Sequence, residues 1–276
     1  MRSYLQSRVQ AYVALAALVV PLACNDSDLS AEAERAAAAG SRRNLERAND
    51  AALRSCLEAP TATERLRACI ESKAIDLALD DGDPNPWHQL LRVFDPELQV
   101  LPDFLFDADH IRTLELAGLP ITEIPAGIGR MVQLRTLRLD LLEGLDRLPR
   151  EIGALGALAE LHVAGSERLT QLPPEIGQLH SLRVLRLDHN RLTALPSTLA
   201  DLRDLEELYL SHNLLETIPP ELGGLAKLRV VSARENRLQS IPREWCELEE
   251  LDLDLRGNPL SELALAHFCE DAQAEL

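Results

Sequence analysis

The chain has 276 residues, of which 46% are hydrophobic and only 3% aromatic, and a formal net charge of −17. This length and composition allow one sizeable core, built mainly from aliphatic side chains. The negative charge argues against a general nucleic-acid partner, because binding to phosphates requires a basic surface.

The first 23 residues have the organisation of an export signal. Arg2 and Arg8 precede an apolar run over residues 11–23, which is shorter than the roughly 20 residues that a membrane span requires. We interpret residues 1–23 as a secretory signal peptide. The end of the run, Leu22-Ala23-Cys24, resembles the lipobox of bacterial lipoproteins, although Pro21 stands where that family usually has Leu. The resemblance implies a lipid on Cys24, export to the bacterial cell envelope (periplasmic or surface-facing) and membrane contact through the lipid alone. Plain secretion is the alternative.

Four further cysteines remain after Cys24. An oxidising compartment permits disulfides, and the cysteines lie as two local pairs, so we predict Cys56–Cys69 and Cys246–Cys269. Four cysteines allow three connectivities, so the pairing stays open. Zinc is the rival interpretation, but the sequence has no CxxC pair. We therefore predict no metal.

The segment before the repeats is predicted to be a tether followed by a cap. Residues 24–40 are rich in Ala and Glu and are predicted to form a flexible tether. Residues 41–57 and 63–79 have apolar residues at helical spacing, separated by Ala59-Pro60-Thr61. Residues 41–87 therefore form a predicted helical hairpin and linker. Its expected role is to cover the first repeat, because an open solenoid end exposes apolar surface.

From His88 to residue 260 the chain repeats with a period of 22 to 24 residues. Position 1 of the successive units falls at His88, Ile111, Leu134, Leu158, Leu182, Leu205, Leu228 and, in a truncated unit, Glu250. Each LxL segment predicts a short strand with alternate side chains facing inward. Asn at position 9 then turns the chain, at Asn190, Asn213, Asn236 and Asn258. Pro96, Leu119, Leu142 and Ser166 replace it in the earlier units, which predicts looser turns there. A Leu-Pro or Ile-Pro pair follows and begins the return.

The unit LxxLxLxxNxLxxLPxxIGxLxx resembles the 23-residue class of leucine-rich repeats found in Ras-group and plant Ras-group-related proteins. The resemblance implies an α/β, right-handed curved solenoid with a concave parallel β-sheet. The spacing predicts about seven full units and one truncated unit over residues 88–260, and we expect the N-terminal helices and a short helical segment over 261–276 to cap them. Proteins of this class usually bind other proteins through the concave face.

Position 5 of each unit lies between two inward residues and must point outward from the sheet. The residues at this position, which we call the central column, are Arg92, Glu115, Arg138, His162, Arg186, Tyr209, Ser232 and Asp254. Arg, His and Tyr on rigid strands are typical of binding hot spots. We predict that the partner-binding residues are Arg92, Arg138, His162, Arg186, Tyr209 and, at position 7, Arg234. The alternative is that these charges only pair with neighbours, Arg138 with Asp140 and Arg186 with Asp188.

Two histidines, His189 and His212, occupy equivalent slots one repeat apart, so they could stack. Two imidazoles alone make a poor metal site, and solvated histidines are the favoured interpretation.

We find no motif of a catalytic site or a cofactor site, and we predict that the chain is not an enzyme. Cys269-Glu270-Asp271 resembles the CxD motif of secreted bacterial ubiquitin ligases, but the repeats of those enzymes are shorter and a large helical domain follows them. The favoured function is a monomeric, envelope-anchored module that binds a protein. The alternatives are a scaffold for a small GTPase or kinase, which needs a cytosolic chain, and a glycan-binding protein. A glycan-binding face would favour aromatic platforms, and only Phe94 and Tyr209 are available there.

Overall fold

The computed structural model of the protein describes Thr63 and residues 90–93, 98–248 and 251–261. The predicted signal peptide, tether, N-terminal helical hairpin and C-terminal cap lie outside these residues, Thr63 and Ser261 excepted. So do Cys24, Cys56, Cys69 and Cys269. These predictions stay predictions.

A single parallel sheet runs through the described residues, with its eight strands in sequence order. The strands are β1 Leu90–Val93, β2 Thr113–Ala117, β3 Thr136–Asp140, β4 Glu160–Ala164, β5 Val184–Arg186, β6 Glu207–Tyr209, β7 Val230–Ser232 and β8 Asp252–Asp254. Each strand comes from one repeat, so the predicted curved solenoid with a concave parallel sheet is confirmed.

The return path of each repeat is a five-residue 3₁₀ helix on the convex side. A proline precedes each helix as the N-cap, with extended backbone at Pro102 and Pro196, for example. The proline fixes its own φ and cannot donate to a strand ladder, so pairing ends there and the chain turns back. The helices span Asp103–Asp107, Ala126–Arg130, Arg150–Ala154, Pro174–Gln178, Ser197–Asp201, Pro220–Gly224 and Arg243–Glu247.

The core is one aliphatic column between the sheet and the 3₁₀ helices. The inward residues of strands β2 to β7 are fully buried, and so are Leu187 and Leu210, which directly follow β5 and β6. The apolar residue in the middle of each return helix is buried too, from Ile128 through Ile176 to Trp245. Burial of these side chains from every repeat against the next stabilises the stack, because a single unit cannot cover its own apolar face.

The asparagines at position 9 form a buried ladder that joins successive repeats. Asn213 accepts a hydrogen bond from the Leu192 N–H at 3.0 Å and donates to the Leu187 and Leu210 carbonyls at 2.8 and 2.9 Å. Asn190, Asn236 and Asn258 repeat this pattern. The predicted role of these asparagines, to satisfy buried backbone groups of the turn, is confirmed.

The turns without asparagine are closed in another way. Leu142 and Ser166 are fully buried at position 9, and each turn closes on its own backbone. The Leu145 N–H donates to the Leu142 carbonyl at 2.9 Å, and the Leu169 N–H donates to the Ser166 carbonyl at 3.0 Å. Both turns belong to 24-residue units, whose extra residue makes room for this bond. The expectation of looser turns is therefore wrong for these two units.

The residue before position 9 adopts a left-handed backbone conformation in seven repeats. Its φ is between 53° and 77° at Gly118, Leu141, Gly165, His189, His212, Glu235 and Gly257. Four of these residues are not glycine and therefore carry a steric penalty. The glycines at three of the seven sites were the signal in the sequence from which this conformation could have been predicted.

Candidate concave binding face

The strands hold the central column in register across the sheet. Glu115 pairs with Arg138, Arg138 with His162, His162 with Arg186, and Arg186 with Tyr209 as Cα partners on neighbouring strands. The backbone of Arg92 continues the column on β1, and Ser232 and Asp254 continue it on β7 and β8. In β2 to β7 each of these residues lies between two buried ones, so its side chain points out of the concave face.

Arg138 lies between two carboxylates but forms no close ion pair with either. Its Nη1 is 3.7 Å from Glu115 Oε1, and its Nη2 is 3.9 Å from Glu160 Oε2. Both distances are too long for hydrogen bonds. The Nε of Arg138 is buried and has no hydrogen-bond partner among the described residues. An orphan buried donor of a charged group is costly in a folded protein, and this covered Nε is not open to a partner at the surface.

His162 lies between Arg138 and Arg186 and is neutral at pH 7. Burial, and next the positive charges of Arg138 and Arg186, lower the pKa of His162 from its ordinary 6.5 to about 4. The His162 side chain is 15% exposed, and its Nε2 is 3.8 Å from Glu160 Oε2. A neutral imidazole here separates two cations without adding a third charge.

Arg186 stacks on an aromatic ring instead of joining a carboxylate. Its guanidinium carbon lies 3.9 Å from the centre of the Tyr209 ring, and Tyr209 donates its hydroxyl to Glu207 Oε2 at 2.8 Å. Asp188, the predicted partner of Arg186, accepts the Ser211 N–H at 2.9 Å. Within the described residues, no carboxylate comes within 4 Å of the Arg186 nitrogens. The pairing alternative is therefore wrong for Arg186.

Arg234 is engaged at the C-terminal end of the face. Its Nε lies 3.4 Å from Asp254 Oδ2, and Arg256 approaches the same oxygen at 2.6 Å. The hydrogen bond from Arg256 is the main cause that lowers the pKa of Asp254 to about 2. Two arginines thus share one carboxylate, and Arg234 is less available to a partner than Arg186.

His189 and His212 stack at the edge of the face. Their ring centres are 4.3 Å apart and the planes differ by 12°. Burial, and next the neighbouring His212, lower the pKa of His189. Stacked parallel imidazoles share no point that both nitrogens face, and in the described ranges no group of three or more His, Cys, Asp or Glu could hold a metal ion. The structure thus places these side chains on each other rather than separately in solvent.

Comparisons with known proteins agree with this architecture. Residues 157–215 match the family model described as leucine rich repeat, and residues 194–266 match the repeats of the family described as leucine-rich repeat and WD repeat-containing protein 1. A solved leucine-rich-repeat protein of Leptospira interrogans is 36% identical, with a TM-score of 0.55 over 58% of this chain and 41% of that one. The chain is similar to leucine-rich-repeat proteins, and its fold is a leucine-rich-repeat solenoid.

Two more solved structures are similar to the repeats. The Arabidopsis receptor kinase HAESA, solved with a peptide hormone and a co-receptor, is 28% identical, with a TM-score of 0.51 over 59% of this chain and 28% of that one. Internalin C2 of Listeria monocytogenes is 23% identical, with a TM-score of 0.50 over 58% of this chain and 68% of that one, and this likeness concerns the fold alone.

The matched region is a repeat segment in each case. The chain spans about two fifths of the length of the Leptospira protein. A comparison with curated proteins finds no match. No helix in the part of the chain that the structure describes is long and apolar enough to cross a membrane.

Proposed function

We propose that this protein is a non-enzymatic module that binds a protein partner through its concave face. The proposed centre of the face consists of Arg138, His162, Arg186 and Tyr209, which we call the central cluster. Arg and Tyr are the residue types most enriched in binding hot spots. Solenoids of this kind also present extended concave surfaces to their partners.

The observation that carries the proposal is that Arg186 stacks on Tyr209 and does not pair with a carboxylate. A guanidinium that served only to keep the face soluble would pair with a neighbouring carboxylate. Arg186 instead stacks on Tyr209 at 3.9 Å, and the nearby Asp188 is occupied by the Ser211 N–H. Stacking fixes the plane of the guanidinium and leaves its donors in that plane for a partner. Because the side chain is already ordered, binding costs less conformational entropy.

The test is capture of partners by the wild-type protein and by two charge variants. Arg138→Glu/Arg186→Glu changes the central cluster. Arg147→Glu/Arg150→Glu makes the same change in net charge at two side chains that are each 78% exposed and lie away from the sheet. We expect a specific partner to be retained by the wild type and the control and lost by the cluster variant. Equal capture of every partner by all three proteins would contradict the proposal.

We also propose that this binding takes place in a bacterial cell envelope, where a lipid on Cys24 tethers the protein. The support is in the sequence, in the charged and apolar segments of residues 1–23 and in the polar residues that follow Cys24. Mass spectrometry of the mature N-terminus tests this proposal: a diacylglycerol-modified Cys24 is expected, and an unmodified Cys24 or an intact Met1 would refute it. The disulfide prediction belongs to the same proposal. We propose that Cys246 is disulfide-bonded and that its partner is Cys269.

A further inference from the structure

We infer that His189 and His212 form an acid-sensitive contact at the edge of the concave face, which opens when both imidazoles are protonated. The His212 ring then leaves His189 and pairs with the carboxylate of Asp188. Both arrangements use only the chain's own side chains, so this contact can be tested without the proposed partner.

The stacked rings join two successive repeats through their side chains. His189 and His212 directly precede the buried Asn190 and Asn213, and both have a left-handed backbone, with φ of 58° and 59°. The same conformation at equivalent positions directs the two rings in parallel, with their centres 4.3 Å apart and their planes 12° apart. This contact requires at least one neutral ring, because two imidazolium ions at such a distance repel each other.

A carboxylate lies next to the same pair of rings. Asp188 precedes His189, and its Oδ1 accepts the N–H of Ser211, the residue before His212, at 2.9 Å. Burial raises the pKa of Asp188, and the Ser211 N–H, Arg186 and a protonated His212 oppose that shift. No side chain among the described residues donates a hydrogen bond to this carboxylate. Asp188 is therefore open to pairing with a protonated His212.

The other charged side chains on the neighbouring repeats have contacts of their own or lie later in the turns. They are Arg186 on Tyr209, Glu207 at the Tyr209 hydroxyl, His162 near Glu160, Arg191 near Glu167, Arg234 near Asp254, and the exposed Arg168 and Arg237, which come after position 9. In the column of the two histidines, Glu235 follows His212, but its carboxylate lies over Gly257. Gly165 precedes His189 and brings no charge. The adjacent Asp188 is thus the anion that remains for the pair.

The repulsion between the two rings makes the contact depend on pH. Two unit charges 4.3 Å apart separate the binding of the first and the second proton to the pair by roughly one to three pH units. Burial, and next His212, lower the pKa of His189, which is the direction that the stack requires. The second proton therefore opens the stack and gives Asp188 a cationic partner. Because Arg186 and Tyr209 lie three residues before the two histidines, this change alters the charge beside the central cluster.

The test is a pH titration of the full chain, followed by NMR of the histidine ring protons and by circular dichroism at each pH. The titration runs from pH 8 to pH 4.5, which stays above the pKa of about 4 of His162. We expect a nuclear Overhauser effect between the rings of His189 and His212 at pH 8 and its loss by pH 4.5. An effect that persists at pH 4.5 in the folded chain would overturn the inference. If the chain unfolds above that pH, the His212→Gln comparison below decides.

Two variants and a control make the outcome specific. His212→Gln removes the neighbouring charge and should raise the pKa of His189. Asp188→Asn keeps an acceptor for the Ser211 N–H but removes the anion, and it should lower the pH at which the rings separate by about one pH unit. The control His180→Gln changes an exposed histidine in the turn after Pro174–Gln178 and should affect neither measurement. An unchanged titration of His189 in His212→Gln, or ring separation at the wild-type pH in Asp188→Asn, would also overturn the inference.

Discussion

The substitution Asn213→Ala removes one rung from the middle of the asparagine ladder. Asn213 is 4% exposed and connects three backbone groups from two successive repeats. Its Oδ1 accepts from the Leu192 N–H, and its Nδ2 donates to the carbonyls of Leu187 and Leu210. Alanine keeps the backbone and the fold of the turn but removes all of these bonds at once.

The expected loss in the free energy of unfolding depends on which other side chains bond to the same backbone groups. The Leu187 carbonyl also accepts from Asn190 at 2.8 Å, and the Leu210 carbonyl also accepts from Asn236 at 2.9 Å. Each carbonyl therefore keeps one partner, and losing the second costs about 0.5–1.5 kcal/mol. The Leu192 N–H is left with no acceptor in a buried site, which costs about 1–3 kcal/mol. We expect Asn213→Ala to lower the free energy of unfolding by about 4 kcal/mol, within roughly 2–6 kcal/mol.

The assay is urea unfolding followed by circular dichroism, with Asn258→Ala as the matched control. Asn258 makes the same three bonds, to the Leu238 N–H and to the Ala233 and Leu255 carbonyls, but it is half-buried and water can replace it. We expect the control to lose only about 1 kcal/mol. Equal losses at the two positions, or a loss below about 1 kcal/mol for Asn213→Ala, would refute the reasoning that burial of the orphaned groups sets the cost.

Three further predictions concern the central cluster, the convex packing and the disulfide. Stability should fall by about 3 kcal/mol between pH 6.5 and pH 4 because of His162: the unfolded chain binds the proton near the ordinary pKa of 6.5, whereas the folded chain binds it only near 4. A His162→Gln variant that kept the whole pH dependence would contradict this assignment. Gly177→Ala should lower the free energy of unfolding by about 1–3 kcal/mol, because a Cβ there would overlap the Thr198 carbonyl oxygen. The control Gly156→Ala, where a Cβ meets nothing within 4 Å, should change it by less than about 0.5 kcal/mol, and equal losses would show that close packing of the coils is not the cause. Cys246→Ser should leave one new free thiol in the unfolded, non-reduced protein, measured by a thiol reagent; an unchanged thiol count would mean that Cys246 is not disulfide-bonded.

The spacing of the side chains by itself determined the fold and its register. Leucines at alternate positions followed by a proline can bury their apolar face only by stacking on the next repeat. The repeat therefore predicts the strands, the return segments on the convex side, and the face of the sheet on which the central column lies. The same logic identified the asparagines, because a turn that buries backbone groups needs a side chain that both accepts and donates.

The tertiary structure decided how neighbouring repeats complete one another. Arg186 could pair with Asp188 or stack on Tyr209, and only the position of Ser211 one repeat later, whose N–H bonds to Asp188, separates these outcomes. The low pKa of His162 needs a cation on each neighbouring strand as well as burial. In each case the deciding group lies more than 20 residues away in the sequence and about 5 Å away in space. The local spacing of residues determines the period of the stack. The partner and the pKa of each side chain on the concave face depend on contacts that exist only after the repeats have stacked.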